Sequence, residues 1–399
     1  MADIRYSPQY SGRFIWEMRA NQLSQLLDAK RRAGISLLDL TESNPTRSGI
    51  TYPSAQLLEA IADPGWLVYE PTSAGLPRAR EAVAAYYAAR GYSVSPERVL
   101  LTASTSEAYS YLFKLLADPG DEVLVPRPSY PLFEFLAGLE AVQPVHYSLA
   151  YHGEWRIDFD SLGAALTPRT RAVVIVNPNN PTGSFLKRDE CAQLMELCRA
   201  NGLSLISDEV FSDFVSPATA KGNLVRSVVD ETGVLTFSLS GLSKVAGLPQ
   251  VKAGWIAVSG PPDACRDALS RLELIADTYL SVSSLVQHAM PRLLELGAAM
   301  QTAIQIRVQR NLSHLQAALA ADSPARVLAA EGGWYATLEI PRNRSEEQWA
   351  LELLELDNVI VQPGYFYDFE REAYLVLSLL TPEHTFAAGV ARVLARVAG

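Results

Sequence analysis

Ser240-Gly241-Leu242-Ser243-Lys244-Val245-Ala246-Gly247-Leu248 comes just after the apolar run Val234-Leu235-Thr236-Phe237-Ser238. The run reads as a buried strand, and the Ser/Gly-rich stretch as the turn at its carboxyl end. A lysine costs free energy to bury and seldom ends a core strand without a task. Taken alone, Ser243-Lys244 is also what a surface turn looks like. What lies upstream decides between the two.

From about 76 to 285 the chain alternates strand-like and helical stretches. The strand-like runs are Val99-Leu100-Leu101, Glu122-Val123-Leu124-Val125, Ala172-Val173-Val174-Ile175-Val176, Leu203-Ser204-Leu205-Ile206 and Trp255-Ile256-Ala257-Val258. Residues 77–90, 105–117 and 188–201 read as helices between them. Such alternation predicts an α/β fold with a mostly parallel sheet between helices. In these sheets ligands bind at the carboxyl ends of strands. Ser104, Asn177–Gly183, Asp208 and Lys244 all fall at such ends.

Outside this block, residues 14–33 read as a helix carrying Leu23, Leu26 and Leu27. Ile35–Leu40 reads as a short strand running into the loop Thr41-Glu42-Ser43-Asn44-Pro45-Thr46-Arg47. Residues 300–320, with Ile304, Val308, Leu312, Leu315 and Leu319, have helical spacing and are expected to link two lobes. Residues 325–399 mix strands (Trp334–Leu338, Tyr374–Leu377) with a closing helix, as in a smaller α+β domain.

Composition excludes several classes. The chain has 399 residues, 48% hydrophobic and 20% charged, enough for one or two large cores. Its net charge of -10, with no basic run beyond Lys30-Arg31-Arg32, argues against nucleic acid. No apolar run reaches membrane-spanning length. The start, Met-Ala-Asp-Ile-Arg-Tyr, lacks a signal-peptide pattern. Cys191, Cys198 and Cys265 cannot all pair and are expected to be reduced thiols, which suits the cytoplasm. The five histidines lack metal-ligand spacing, and no metal is expected.

With Asn177-Pro178-Asn179-Asn180-Pro181-Thr182-Gly183 and Ser207-Asp208-Glu209-Val210-Phe211 ahead of Lys244, the chain resembles the pyridoxal-phosphate (PLP) aminotransferases of fold type I, classes I and II. The resemblance spans essentially the whole chain. It implies a large PLP-binding domain over 49–285. An N-terminal arm and part of the small domain would occupy 1–48, and the linking helix with the rest of the small domain 286–399. It makes Lys244 the residue that forms a Schiff base, the internal aldimine, with the cofactor aldehyde. Lys244 then moves the proton as general base and acid. Asp208 pairs with the pyridine nitrogen, and Asn180 bonds the cofactor phenolate oxygen and the substrate.

Further positions follow from the same resemblance. Ser104, Thr105 and Ser106 match a phosphate cup, as backbone amides at a helix start allow; an ordinary Ser/Thr cap is the alternative. Ser243, beside the lysine, joins the cofactor contacts. Tyr130, in Pro128-Ser129-Tyr130-Pro131, matches the ring that stacks on the pyridine, or else is a core or interface tyrosine. Tyr69, in Val68-Tyr69-Glu70-Pro71, matches a tyrosine that reaches the neighbouring subunit's cofactor, which implies a homodimer with shared sites.

Three positions depart from the family pattern. Lys252 stands where an arginine usually holds the phosphate, and so loses the bidentate fork. Phe211 stands where many members have a tyrosine, so Asn180 is left as the main donor to the phenolate oxygen. Val376, in Val376-Leu377-Ser378, stands where an arginine usually grips the substrate α-carboxylate. Arg47 is the candidate replacement, with an exposed loop arginine as the plainer reading. Two other readings stay open: a substrate without an α-carboxylate, or a different PLP reaction. The expected activity is transamination between an amino acid or amine and a 2-oxo acid. A lyase or decarboxylase on the same fold is the alternative.

Overall fold

The computed structural model describes residues 9–16, 19–217 and 223–399. Its centre is an eight-stranded sheet. In chain order the strands are β1 (Val99–Thr102), β2 (Glu122–Arg127), β3 (Gln143–Tyr151), β4 (Trp155–Ile157), β5 (Thr170–Val176), β6 (Ser204–Asp208), β7 (Thr236–Gly241) and β8 (Gly254–Ser259). Across the sheet the order is β1-β8-β7-β6-β5-β2-β3-β4. The four contacts β7–β6, β6–β5, β5–β2 and β2–β3 are parallel. β8 is antiparallel to both its neighbours, because the chain turns straight back through Lys244 instead of crossing over. The sheet is therefore mostly parallel, as the alternation predicted. β1, β7 and β8 are buried on both faces, which explains their unbroken apolar or small-residue runs.

The helices follow their end signals. α1 (Gln22–Arg32) begins where Asn21 Oδ1 accepts the Ser24 N–H at 2.8 Å. It is shorter than the predicted 14–33, of which residues 17–18 lie outside the described residues. α2 (Pro77–Ala88) opens on proline, α3 (Thr105–Leu116) on the Ser104 cap, and α4 (Arg188–Asn201) ends on Gly202 at φ 64°. α5 (Pro262–Tyr279) packs on α3. α6 (Ser284–Ala318) is one helix of 35 residues with Pro291 inside, far longer than the predicted 300–320.

A second sheet has four strands: β9 (Arg326–Val327), β10 (Tyr335–Glu339), β11 (Gln362–Pro363) and β12 (Tyr374–Ser378), ordered β9-β10-β12-β11 and antiparallel throughout. α7 (Glu346–Asp357) and α8 (Glu383–Ala398) cover it. One apolar core unites this sheet, both helices, Leu23 and Leu40 from the N-terminal segment, and Phe211 and Phe214 from beyond β6. The strand expected at Ile35–Leu40 shrinks to Leu38–Asp39, which pairs with Val359–Ile360. The sequence reading missed β3 and β4. β3 lies near the sheet edge and is mostly half-buried, so Pro144, His146 and Ser148 interrupt the apolar pattern.

Candidate active site

Strand register gathers the motifs. Asp208, the last residue of β6, lies opposite Val176 on one side and Leu239 on the other. Asn177 follows Val176 directly, and Lys244 follows Leu239 by one turn of chain. Gly254 of β8 lies opposite both Gly241 and Thr102, which brings the start of α3 to the same end. A side chain at Gly254 would place its Cβ 3.1 Å from the Ser104 carbonyl carbon and from Ser240 O. Glycine there permits the close approach of strand and helix start.

Asp208 accepts the Tyr109 hydroxyl on Oδ2 and the Val210 N–H on Oδ1, both at 3.2 Å. Burial pushes its carboxyl up to about 6, while those two donors and the Lys244 charge pull it down. Burial likewise brings the Lys244 amine down to about 8, against the pull of Asp208. A lysine so shifted is part free base at neutral pH. Lys244 and the half-buried Ser243 sit on the short helix Leu242–Val245. Phe211 is buried, with its ring 5.4 Å from Lys244 Nζ.

The Asn177–Gly183 loop is held by its own amides. Asn177 donates to Val225 O and accepts from Leu186 N–H, each at 2.9 Å. Asn179 donates to Pro128 O at 3.0 Å and accepts the Ser129 hydroxyl at 3.0 Å, tying this loop to the segment that carries Tyr130. Gly183 has φ 69°, and a Cβ there would lie 2.4 Å from Gly332 O. The loop's remaining amide is Asn180, whose Oδ1 is buried without a hydrogen-bond partner among the described residues.

At the start of α3, Ser104 Oγ accepts the Glu107 N–H at 3.2 Å. This is the capping alternative, although a capping hydroxyl still has its own proton to donate. The first N–H groups of α3, at Thr105 and Ser106, precede any intrahelical acceptor. Lys252 is exposed, just before Gly254, with φ 59°.

Tyr130 is 46% exposed, yet partial burial raises its phenol and the nearby Asp208 charge adds to the rise. Tyr69 is 74% exposed and follows Trp66, Leu67 and Val68, which are exposed as well. Arg47 is exposed, and its side chain makes no hydrogen bond or ion pair among the described residues. Val376 is fully buried in β12, opposite Thr337 and Gln362. Thr337 Oγ1 is buried there without a partner among the described residues. His146, read as unclustered, does approach Glu134 and Asp368, with potential ligand atoms within 4.8 Å of one another at the surface.

Sequence reasoning missed three side chains. Tyr109 lies one helical turn beyond Thr105, a spacing that places both on one face of α3. Trp334 is fully buried with its ring 4.9 Å from Lys244 Nζ. Tyr335 pairs with Phe211 edge-on and lies beside Ser43 of the N-terminal loop. No local pattern announced the last two, because they come from the second sheet.

The chain and its fold are similar to known proteins. The model of the family "Aminotransferase class I and II" matches residues 35–385. The chain belongs to this family. Among its relatives, the glutamate-pyruvate aminotransferase AlaA of Escherichia coli K12 is 31% identical over 268 residues, 66% of this chain. That match spans 65% of AlaA's own length, a little under two thirds. The alanine aminotransferase of Mycobacterium bovis is 28% identical over 369 residues, 90% of this chain and 85% of that protein. The crystal structure of an aminotransferase from Escherichia coli superposes with a TM-score of 0.85 at 22% identity, covering 99% of both chains. Alanine aminotransferase from Pyrococcus furiosus gives 0.84 at 20% identity, covering 95% of this chain and all of that one. These two likenesses establish the family's fold type I for this chain.

Proposed function

We propose that this chain transfers an amino group between an amino acid or amine and a 2-oxo acid, using PLP held at the carboxyl end of the large sheet. The observation that carries the reading is the register of Asp208 between Val176 and Leu239, which brings Asn180, Asp208 and Lys244 to one strand end. The residues present fit the cofactor. Asn180 offers a buried amide with an unpartnered oxygen, Asp208 a carboxylate, and Lys244 a part-neutral amine. Bound there, PLP supplies an aldehyde that takes up the amino group and a ring that accepts the electrons left on the substrate carbon.

The chain's own groups do the rest. Lys244 would hold the aldehyde and, when its amine is free, would carry a proton on its Nζ as general base and acid. Asp208, fixed by Tyr109 and the Val210 N–H, keeps the ring nitrogen protonated. Asn180 would hold the phenolate oxygen, and Tyr130 would cover the ring. The amides of Thr105 and Ser106, with Ser104, Ser243 and Lys252, take the phosphate. Phe211 offers a ring face and no hydroxyl. We assign Tyr69 to the partner subunit's site in a homodimer; its exposure beside Trp66, Leu67 and Val68 supports this. Arg47 is assigned to the substrate carboxylate, since Val376 has no charge to offer. The three cysteines are free and buried, which supports a reducing, cytoplasmic setting. Among the described residues no helix is long and apolar enough to cross a membrane.

The lyase or decarboxylase alternative is not favoured, because the matched relatives are named as aminotransferases. Those names also make alanine, glutamate and pyruvate the first substrates to try. The test is a panel of amino acids, amines and 2-oxo acids, with cofactor absorbance followed in each half-reaction. Amino transfer to a 2-oxo acid is expected. Release of ammonia or carbon dioxide without transfer would overturn the reading.

A further inference from the structure

The Lys244 amine lies against two aromatic faces. Its Nζ is 4.9 Å from the centre of the Trp334 ring and 5.4 Å from that of Phe211. The two rings meet edge to face at 5.2 Å, and Phe214 packs on Trp334 at 5.0 Å. The backbone holds the tryptophan in place: Leu379 N–H donates to Trp334 O, and Gly333 N–H to Phe214 O, each at 2.8 Å. Trp334 is fully buried, yet its indole N–H has no acceptor among the described residues. Burying such a donor is costly, and phenylalanine or leucine would not carry that cost. What tryptophan adds at this position is the face it presents to the amine.

Little else holds that amine. Lys244 Nζ has no hydrogen-bond acceptor among the described residues, and Asp208 acts on it through space. The ionisable groups around it are Asp208 at the end of β6, Tyr109 of α3 bonded to Asp208, Tyr130 near Asp208, and Tyr335 beside Phe211. Of these, only Asp208 carries a charge at neutral pH.

We propose that Trp334 is a positioning residue for proton transfer, its indole face holding the Lys244 ammonium while the amine is free of the cofactor. This rests on the role given to Lys244 above. When the C–H bond at the substrate's α-carbon breaks, Lys244 Nζ takes the proton on its lone pair and becomes an ammonium. The bonding electrons would pass to the cofactor ring, and Lys244 would deliver the proton to the cofactor carbon that carried the aldehyde. Between the two events a positive charge stands in a poorly hydrated place. An aromatic face within about 6 Å attracts it, tryptophan more than phenylalanine. Trp334 therefore makes Lys244 a stronger base and fixes where its proton waits; Phe211 adds a second, weaker face.

The test measures Lys244 directly, without turnover. Cofactor-free protein is mixed with PLP, and capture is followed by absorbance across pH. Only the neutral amine attacks, so the midpoint of the rate reports the Lys244 pKa. Trp334→Leu is expected to lower that midpoint by about one pH unit, and Trp334→Phe by less. In turnover, Trp334→Leu should lower kcat about tenfold with little change in KM. A purely structural role would reduce the folded fraction, read by circular dichroism, without moving the midpoint. Folded Trp334→Leu with the wild-type midpoint overturns the proposal. Should Trp334→Leu not fold, Trp334→Phe and Phe211→Leu decide in its place, and two unmoved midpoints overturn it. Lys244→Ala capturing PLP with an unchanged rate and spectrum would instead overturn the role of Lys244, and the proposal with it.

Discussion

Replacing Asp208 by asparagine separates what the site costs the fold from what it contributes to chemistry. Burial raises the Asp208 carboxyl from 3.8 to about 6 in the ligand-free fold. At about 1.4 kcal/mol per pH unit, that places an ionised Asp208 at a cost of about 3 kcal/mol. That rise already includes the attraction to Lys244 and the two donors; water at the mouth of the site reduces the gain from neutralising the group to about 1–3 kcal/mol. The sign follows from a folded pKa above the unfolded one. Below about pH 4 the carboxyl is neutral in both states and the cost is absent; it grows as pH rises to about 6 and is complete above that. Asp208→Asn should therefore make the cofactor-free protein more stable at pH 8 and leave it unchanged near pH 4. Urea unfolding at both pH values measures this. The amide cannot keep a proton on the cofactor nitrogen, so amino transfer should fall at least about a hundredfold. Equal stability at pH 8, or a gain just as large at pH 4, would refute the electrostatic reasoning.

Mixing Tyr69→Phe subunits with Lys244→Ala subunits should give heterodimers in which one site carries both lesions and the other neither. Activity recovered well above that of either parent supports a shared site, and a fully active monomer in sedimentation rejects it. Arg47→Lys should raise KM for amino acids at least about tenfold, given the strength of a bidentate carboxylate pair, with cofactor absorbance unchanged. An unaltered KM would remove Arg47 from the site. In that case, an amine lacking the carboxylate that outperforms its parent amino acid would show that the substrate carries no α-carboxylate, in keeping with the uncharged Val376.

The parallel sheet was legible because its central strands are buried on both faces and so had to be written as apolar runs. That Asp208, Asn180 and Lys244 meet at strand ends was legible because each stands one short step past such a run. β3 was not: a half-buried strand tolerates His146 and Ser148, and its pattern dissolves. α6 was read only from residue 300, since Pro291 inside it and Gln287 and Gly297 among its buried residues hide the first turns. Trp334 was out of reach for a different reason. Its approach to Lys244 depends on how the second core, shared with Phe211 and Phe214, packs on the first. Val376 was read as a loss of charge, and burial in register with Thr337 and Gln362 gives that loss its surroundings.

Lys244 is the residue on which the proposed activity depends, and one measurement addresses it directly. The protein is loaded with PLP, reduced with borohydride, digested and mapped. A pyridoxyl group on the peptide containing Ser243-Lys244, absent from Lys244→Ala, is the predicted result. A pyridoxyl group on any other lysine, or an unchanged yield in Lys244→Ala, would contradict it.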